Sequence, residues 1–524
     1  MTRNEERISG NMKIFRSVWL VFAAVTAVEC GAVIPEPKEF RLLDGSVSTN
    51  VAVVCRKDAS IPHEGYNLKI AEDGVSVVSS GDAGFFYARQ TLRQLEDNGT
   101  WPCCEIVDAP RYRWRGVHLD VSRHFFGVDV VKRFLDKAAE YKFNVFHWHL
   151  MDDQGCRLPL PEYPRMATIG ATRPSPDYSR WIHDLCDPGQ YGPFVYSRED
   201  IREVVEHAAS LHITVLPEIE FPAHSREVLM AYPEFFCSDA LHLREAITMC
   251  NADGAPLKFG AEPALNKSAL CVGNDATLAF ARHLIDVVCE LFPGEYIHIG
   301  GDECVKRNWK QCRRCQARMH AEGLKDENEL QGWAVRQLVA HVVAKGRKAI
   351  GWSEIMEGGL AEDAAVMSWL EPKSGIQAAV AGHDVVMATH TYCYFDYTQD
   401  IPNDPHDVLP PGVKGNVLPL EKVYSFDPCA DVPESAQRHI LGGQTFLWSE
   451  QVPNESWIQW KMWPRALAMS EVLWSGPRKR SFAAFKADAD SVVRKLRNAG
   501  FNAAAADAHD VIGMGRHPSD DVNF

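Results

Sequence analysis

Asp302 and Glu303 stand side by side in the run His298-Ile299-Gly300-Gly301-Asp302-Glu303. Neighbouring carboxyls leaving one strand cannot flank a glycosidic bond from opposite sides, the arrangement that paired-carboxylate glycosidases use at a separation of about 5–9.5 Å. They can instead address two atoms of one sugar from the same side. One protonates the leaving oxygen while its neighbour holds a nucleophile that belongs to the substrate. An Asp-Glu pair is also a common helix N-cap. The preceding Gly300-Gly301, which permits close backbone approach, favours the chemical reading.

Such a pair needs a rigid frame. From Arg115 onward, short apolar runs alternate with amphipathic helical patterns. The candidate strands are 117–121, 144–150, 213–218, 296–300, 348–352, 364–369, 384–388 and 439–447. Helical spacing fills most gaps, as in Val128 to Tyr141, Arg198 to Leu211, Ala276 to Leu291 and Glu327 to Ala344. Eight strands with helical crossovers predict an α/β fold, a (β/α)8 TIM barrel over residues 111–502. Residues 32–110 read as a small α+β accessory domain. Asn67-Leu68-Lys69-Ile70 and Val75-Ser76-Val77-Val78 are strand-like around Glu72-Asp73-Gly74, and Ala83 to Leu95 is helical. Residues 503–524, rich in Ala, Asp and Gly, read as a disordered or loosely docked C-terminal tail.

A barrel works at the C-terminal ends of its strands. There the first strand gives Asp120-Val121-Ser122-Arg123-His124, and the second gives His147-Trp148-His149-Leu150-Met151-Asp152-Asp153-Gln154. The third leads to Glu218-Ile219-Glu220-Phe221-Pro222-Ala223-His224; the fifth and sixth end on Trp352 and Trp369. The seventh leads to Tyr392-Cys393-Tyr394-Phe395-Asp396 and the eighth to Trp448-Ser449-Glu450. Carboxylates and tryptophans on one rim, with no lysine among these groups, suit a neutral polyol such as a sugar.

Three runs together, Asp120 to His124, His147 to Gly155 and His298 to Glu303, resemble glycoside hydrolase family 20. The likeness covers the barrel from Arg115 to Trp474, and Glu64 to Leu95 is similar to the family's accessory domain. It implies a retaining β-N-acetylhexosaminidase, in which the substrate's 2-acetamido carbonyl attacks the anomeric carbon and an oxazolinium-type intermediate forms. Carried over position by position, it makes Glu303 the general acid/base and Asp302 the group that orients and stabilises the acetamide. It makes Tyr394 a hydrogen-bond donor to the acetamide carbonyl, and Arg123 and Glu450 holders of ring hydroxyls. Asp396 falls on the 4- or 6-hydroxyl side, Trp352, Trp369 and Trp448 wall the pocket, and Asp152 with His224 forms a relay to Glu303. Singly, each has a structural explanation: a core Trp, an Arg in an ion pair, a loop His. Independent accidents would not fall in the family's order at successive strand ends.

Three positions depart from the family pattern. Cys156 replaces a bulky aromatic and is expected to reshape the entrance; Ala223 replaces a Gly before His224; Gly127 replaces a Pro. Two rival readings remain. His147-x-His149 with Asp152 and Asp153 is an acceptable ligand set for a metal-dependent hydrolase, although no second His pair completes a binuclear site. A non-catalytic glycan-binding protein would keep the Trp walls without the carboxylates. The expected partner is a glycan ending in β-linked GlcNAc or GalNAc, with no cofactor and no metal.

A net charge of −15 without a long basic run argues against nucleic acid and anionic membranes. Met12-Lys13-Ile14-Phe15-Arg16 followed by apolar Val18 to Val28 reads as an export signal within residues 1–31, with cleavage after Ala27. Met12 is an alternative initiator. The run is short for a membrane span, so a secreted protein, or a periplasmic one in a bacterium, is expected. Among 15 cysteines, Cys312-Arg313-Arg314-Cys315 resembles half a zinc site, with Cys304 nearby. No second pair follows at ribbon spacing, so a disulfide or free structural thiols is the expectation.

Overall fold

The computed structural model describes residues 33–174, 190–237, 269–399, 416–477 and 479–505. The expected export segment, residues 1–31, and residues 506–524 of the tail lie outside them.

The first unit is a five-stranded sheet with one helix. Its strands are β1 (Glu39–Ser48), β2 (Val53–Lys57), β3 (Tyr66–Ala71), β4 (Gly74–Ser79) and β5 (Thr100–Asp108), in the order β1-β5-β3-β4-β2. The period-two strands β3 and β4 bury Tyr66, Leu68, Ile70, Val75 and Val77 on one face. Helix α1 (Asp82–Leu95) covers that face with Tyr87, Ala88, Leu92 and Leu95. Three strands escape the sequence pattern. Nearly every residue of β1 and β2 is at least partly exposed, so neither alternates, and β5 carries Pro102 and the pair Cys103-Cys104.

A closed barrel of eight parallel strands follows. Its strands and flanking helices run, in chain order, β6 (Trp114–Asp120), α2 (Val128–Glu140), β7 (Val145–His149), α3 (Arg198–Ser210), β8 (Thr214–Glu218), α4 (Asp275–Leu291), β9 (Tyr296–His298), α5 (Glu327–Ala344), β10 (Lys348–Trp352), β11 (Ala364–Ser368), α6 (Pro372–Val380), β12 (Val385–Met387) and β13 (Ile440–Thr445). β13 pairs with β6 to close the cylinder. Strands buried on both faces read as continuous apolar runs, which is why all eight expected positions carry a strand. The fourth stops at His298 rather than residue 300, because Gly300 and Gly301 turn to φ of +66° and +102°. Between β10 and β11 there is only a 3-10 turn, Ser353–Met356. Helix starts obey local chemistry: Ser197 and Asp200 form a capping box on α3, Asn274 caps α4 and Asp326 caps α5.

Buried ion pairs fasten the first unit to the barrel. Arg115 of β6 reaches Glu64 at 2.8 Å. Lys142 lies 2.8 Å from Asp108, which also accepts hydrogen bonds from the Tyr66 hydroxyl at 2.7 Å and the Trp474 indole at 2.9 Å. At the other end, Phe482–Asn498 forms a last helix, and the start of the expected tail is not loose. Ala503, Ala504 and Ala505 are buried, and Ala504 N–H donates to the Trp463 carbonyl at 3.0 Å. Their small side chains allow that close docking.

Candidate active site

The turn after β9 presents Asp302 and Glu303. A Cβ on Gly300 would lie 2.1 Å from Glu220 Oε2, and one on Gly301 would lie 2.4 Å from Ile355 Cγ2. Only glycine fits at either position. Glu303 then takes φ +46°, a conformation that ordinary residues adopt at a cost. The two carboxyls end at different depths: the side chain of Asp302 is 15% exposed and that of Glu303 is 30% exposed. Burial pushes the Asp302 carboxyl up to about 7, with Glu354 and Glu303 adding repulsion and His224 opposing the rise.

His224 sits against both. Its Nε2 is 3.3 Å from Glu303 Oε2 and 3.4 Å from Asp302 Oδ2, while Nδ1 is 3.1 Å from Asp152 Oδ1. Burial disfavours a charged ring, yet Asp152 and Asp302 outweigh it and hold the His224 pKa well above its ordinary value. An imidazolium here donates one N–H to Asp152 and aims the other between the two carboxylates. Asp152 is itself anchored by Arg123 Nη2 at 2.6 Å and His149 Nε2 at 2.9 Å. Against the penalty of burial, Arg123 and His224 keep its carboxyl well below the usual range. Ala223, just before His224, is buried.

Arg123 links this chain to the opposite side of the rim. Nη1 lies 3.3 Å from Asp120 and 3.9 Å from Glu450, and the guanidinium carbon lies 5.1 Å from the Trp448 ring centre. Asp396 repels Glu450, and burial together with that repulsion raises the Asp396 carboxyl to about 7. Trp369 and Tyr394 present nearly parallel rings 6.0 Å apart, and Trp448 lies 5.9 Å from Tyr394. Trp352 is fully buried, 6.5 Å from Trp369 and 6.1 Å from Trp448, so it forms a floor beneath the other rings.

The histidines of the metal-dependent rival converge on one carboxylate. His147 and His149 do face one side, but both turn to Glu218, which also meets His298 at 2.8 Å and the Trp352 indole at 2.8 Å. Asp152 is committed to Arg123, His149 and His224.

The profile described as "Glycosyl hydrolase family 20, catalytic domain" matches residues 112–477, and that of the family's domain 2 matches residues 43–109. The chain belongs to glycoside hydrolase family 20. A beta-hexosaminidase of Porphyromonas gingivalis is 37% identical over 473 residues, covering 87% of this chain and 57% of that protein. The chain thus spans little more than half of that relative's length. A beta-hexosaminidase of Akkermansia muciniphila is 28% identical, covering 87% of this chain and 88% of the other. Among solved structures, a Vibrio harveyi exo beta-N-acetylglucosaminidase in complex with N-acetylglucosamine superposes with a TM-score of 0.78 at 28% identity, covering 90% of this chain and 78% of that one.

Within this family 20 barrel, three further acidic residues, Glu218, Glu220 and Glu354, stand at or just past the strand ends. Glu218 hydrogen-bonds His149 and accepts from the Trp352 indole beneath the pair, with His147 and His298 within 3.0 Å of its carboxylate. Glu220 packs under Gly300, and burial with Asp302 and Glu218 beside it raises its carboxyl well above the usual range. Glu354 accepts from the Trp369 indole at 3.0 Å, and burial raises its carboxyl too. The available signals were period-two spacing of Glu218 and Glu220 and the position of Glu354 two residues past Trp352. One expectation is corrected. Cys156 is fully buried in the barrel core, its thiol pushed up to about 12 by burial, so it changes packing under the loop and not the entrance.

Proposed function

We propose that this chain removes terminal, non-reducing β-linked N-acetylhexosamine, GlcNAc or GalNAc, from oligosaccharides or glycoconjugates with retention. The observation that carries the proposal is the pair itself: two adjacent carboxyls at different depths, with the His224 ring within 3.4 Å of both. Glu303, the more exposed, donates its proton to the glycosidic oxygen as the bond to the anomeric carbon breaks. The substrate's acetamido oxygen bonds that carbon from the opposite face. Asp302, deeper, accepts from the acetamido N–H and balances the positive charge that develops. Water then attacks the anomeric carbon, giving its proton to Glu303, and the ring of the oxazolinium reopens. Two inversions leave the configuration retained.

The other groups hold the sugar. Tyr394 donates to the acetamido carbonyl. Arg123 and Glu450 take ring hydroxyls, Asp396 the 4- or 6-hydroxyl, and Trp369 and Trp448 wall the sugar over the Trp352 floor. The charged run at Met12 to Arg16 and the apolar stretch behind it support export, to the medium or the periplasm. Among the described residues no helix is long and apolar enough to cross a membrane.

The discriminating experiment compares an aryl β-N-acetylglucosaminide with the matching β-glucoside. The acetamido sugar should be hydrolysed, and a thiazoline mimic of the cyclised intermediate should compete with it. Comparable turnover of the β-glucoside contradicts participation of the acetamide.

A further inference from the structure

Away from the rim, four cysteines from two barrel loops meet. Cys237 follows the short turn Pro233–Phe235 in the loop after β8, and Cys271 lies near the end of the same loop. Cys312 and Cys315 flank the start of the helix Arg313–Glu322 in the loop after β9. The sulfur–sulfur distance is 3.7 Å for Cys237–Cys315, for Cys271–Cys312 and for Cys271–Cys315, and all four sulfurs lie within 4.8 Å of one another. A disulfide needs about 2.05 Å. Four thiolates around one zinc ion, each at about 2.3 Å, stand about 3.8 Å apart along the edges of a tetrahedron. The observed spacing is the tetrahedral one.

The surroundings are built for it. Cys271, Cys312 and Cys315 are buried and Cys237 is half-buried. Arg314 places a cation beside the cluster and donates to the Phe236 carbonyl at 2.6 Å. Cys271 N–H donates to the Phe235 carbonyl at 2.7 Å, and the Trp309 indole donates to the Leu270 carbonyl at 3.0 Å. A Cβ on Gly273 would lie 2.3 Å from the Arg314 carbonyl carbon, so the two loops touch backbone to backbone.

We propose that Cys237, Cys271, Cys312 and Cys315 bind one zinc ion as four thiolates, closing a structural site that clasps the loop after β8 to the loop after β9. Binding releases four protons to solvent and involves no change of oxidation state. The complex carries two negative charges, which Arg314 partly offsets. With four protein ligands the ion keeps no open position for a substrate, so its role is mechanical. One clasped loop carries His224 and the other carries Asp302-Glu303. The second cysteine pair that the sequence lacked at ribbon spacing comes from residues 34 positions apart.

The full-length chain, purified without chelator, should contain about one zinc per chain. Replacing zinc with cobalt should give the visible bands of tetrahedral thiolate coordination, and Cys312→Ser should lose both metal and bands. Stripping the ion under reducing conditions should lower the melting temperature, and adding zinc should restore it. Should Cys312→Ser fail to fold, zinc content and the cobalt spectrum of the unaltered chain still decide. Zinc far below one per chain, iron in its place, or an intact mass lighter by four hydrogens with these cysteines paired as disulfides would each overturn the proposal.

Discussion

Asp152 never touches the pair it serves, yet the charge on His224 depends on it. Asp152 and Asp302 hold the ring protonated against burial, and the protonated ring in turn lowers the proton affinity of Asp302. Asp152→Asn removes one of those charges, so the His224 pKa falls and the ring becomes neutral near working pH. Without the cation, Asp302 holds its proton more tightly. The pH optimum of kcat/KM should therefore shift toward the alkaline side, on the order of one unit, with a lower maximum. An unmoved optimum in Asp152→Asn would show that His224 does not transmit charge to the pair. The residues of this chain were legible because each sat at a strand end. Depth was not legible: that Asp302 lies below Glu303 follows from a turn with positive φ at Gly300, Gly301 and Glu303, which spacing alone does not reveal.

The barrel strands were readable because double-sided burial writes continuous apolar runs into β6, β7 and β11, whereas β1 and β2, exposed along most of their length, left no periodic trace. Single positions inside elements carry testable detail as well. Gly127, the N-cap of α2, has φ −66° and ψ 163°, which are angles that proline adopts. No atom within 4 Å would meet an added Cβ there, and among the described residues no hydrogen bond from its N–H is found. Gly127→Pro should fit without strain and reduce the freedom of the unfolded chain. The expected gain is about 0.4–1 kcal/mol in a denaturant melt, with unchanged kcat/KM. A loss of stability would mean that the start of α2 needs the freedom of glycine.

At the scale of the molecule, the small unit and the barrel are joined by charges sealed from water, a kind of contact that leaves no short-range motif. Lys142 and Asp108 come from different units and are both buried. Burial pulls the Lys142 pKa below its ordinary value although Asp108 opposes the fall. Asp108→Ala strands an uncompensated ammonium and frees Tyr66 and Trp474 of a partner. The cost should be about 3–5 kcal/mol. Replacing both ends together, Asp108→Leu with Lys142→Met, should cost clearly less, because no buried charge is left alone. Equal losses in the two variants, measured by chemical denaturation, would mean that the pair's charge is not what the interface depends on. The cysteine cluster is hidden for the same reason: its halves are distant in sequence and only the barrel's loop geometry brings them together.

The central claim is the division of labour between Asp302 and Glu303, and a leaving-group series on two variants measures it most directly. Glu303→Gln removes the proton donor, a loss of about 10²- to 10⁴-fold on poor leaving groups. The deficit should shrink as the aglycone becomes more acidic and departs without protonation. Asp302→Asn weakens the stabilisation of the cyclising acetamide, so its deficit should stay nearly constant along the series. A common leaving-group dependence in both variants, or rescue of Asp302→Asn by the best leaving groups, would contradict the account.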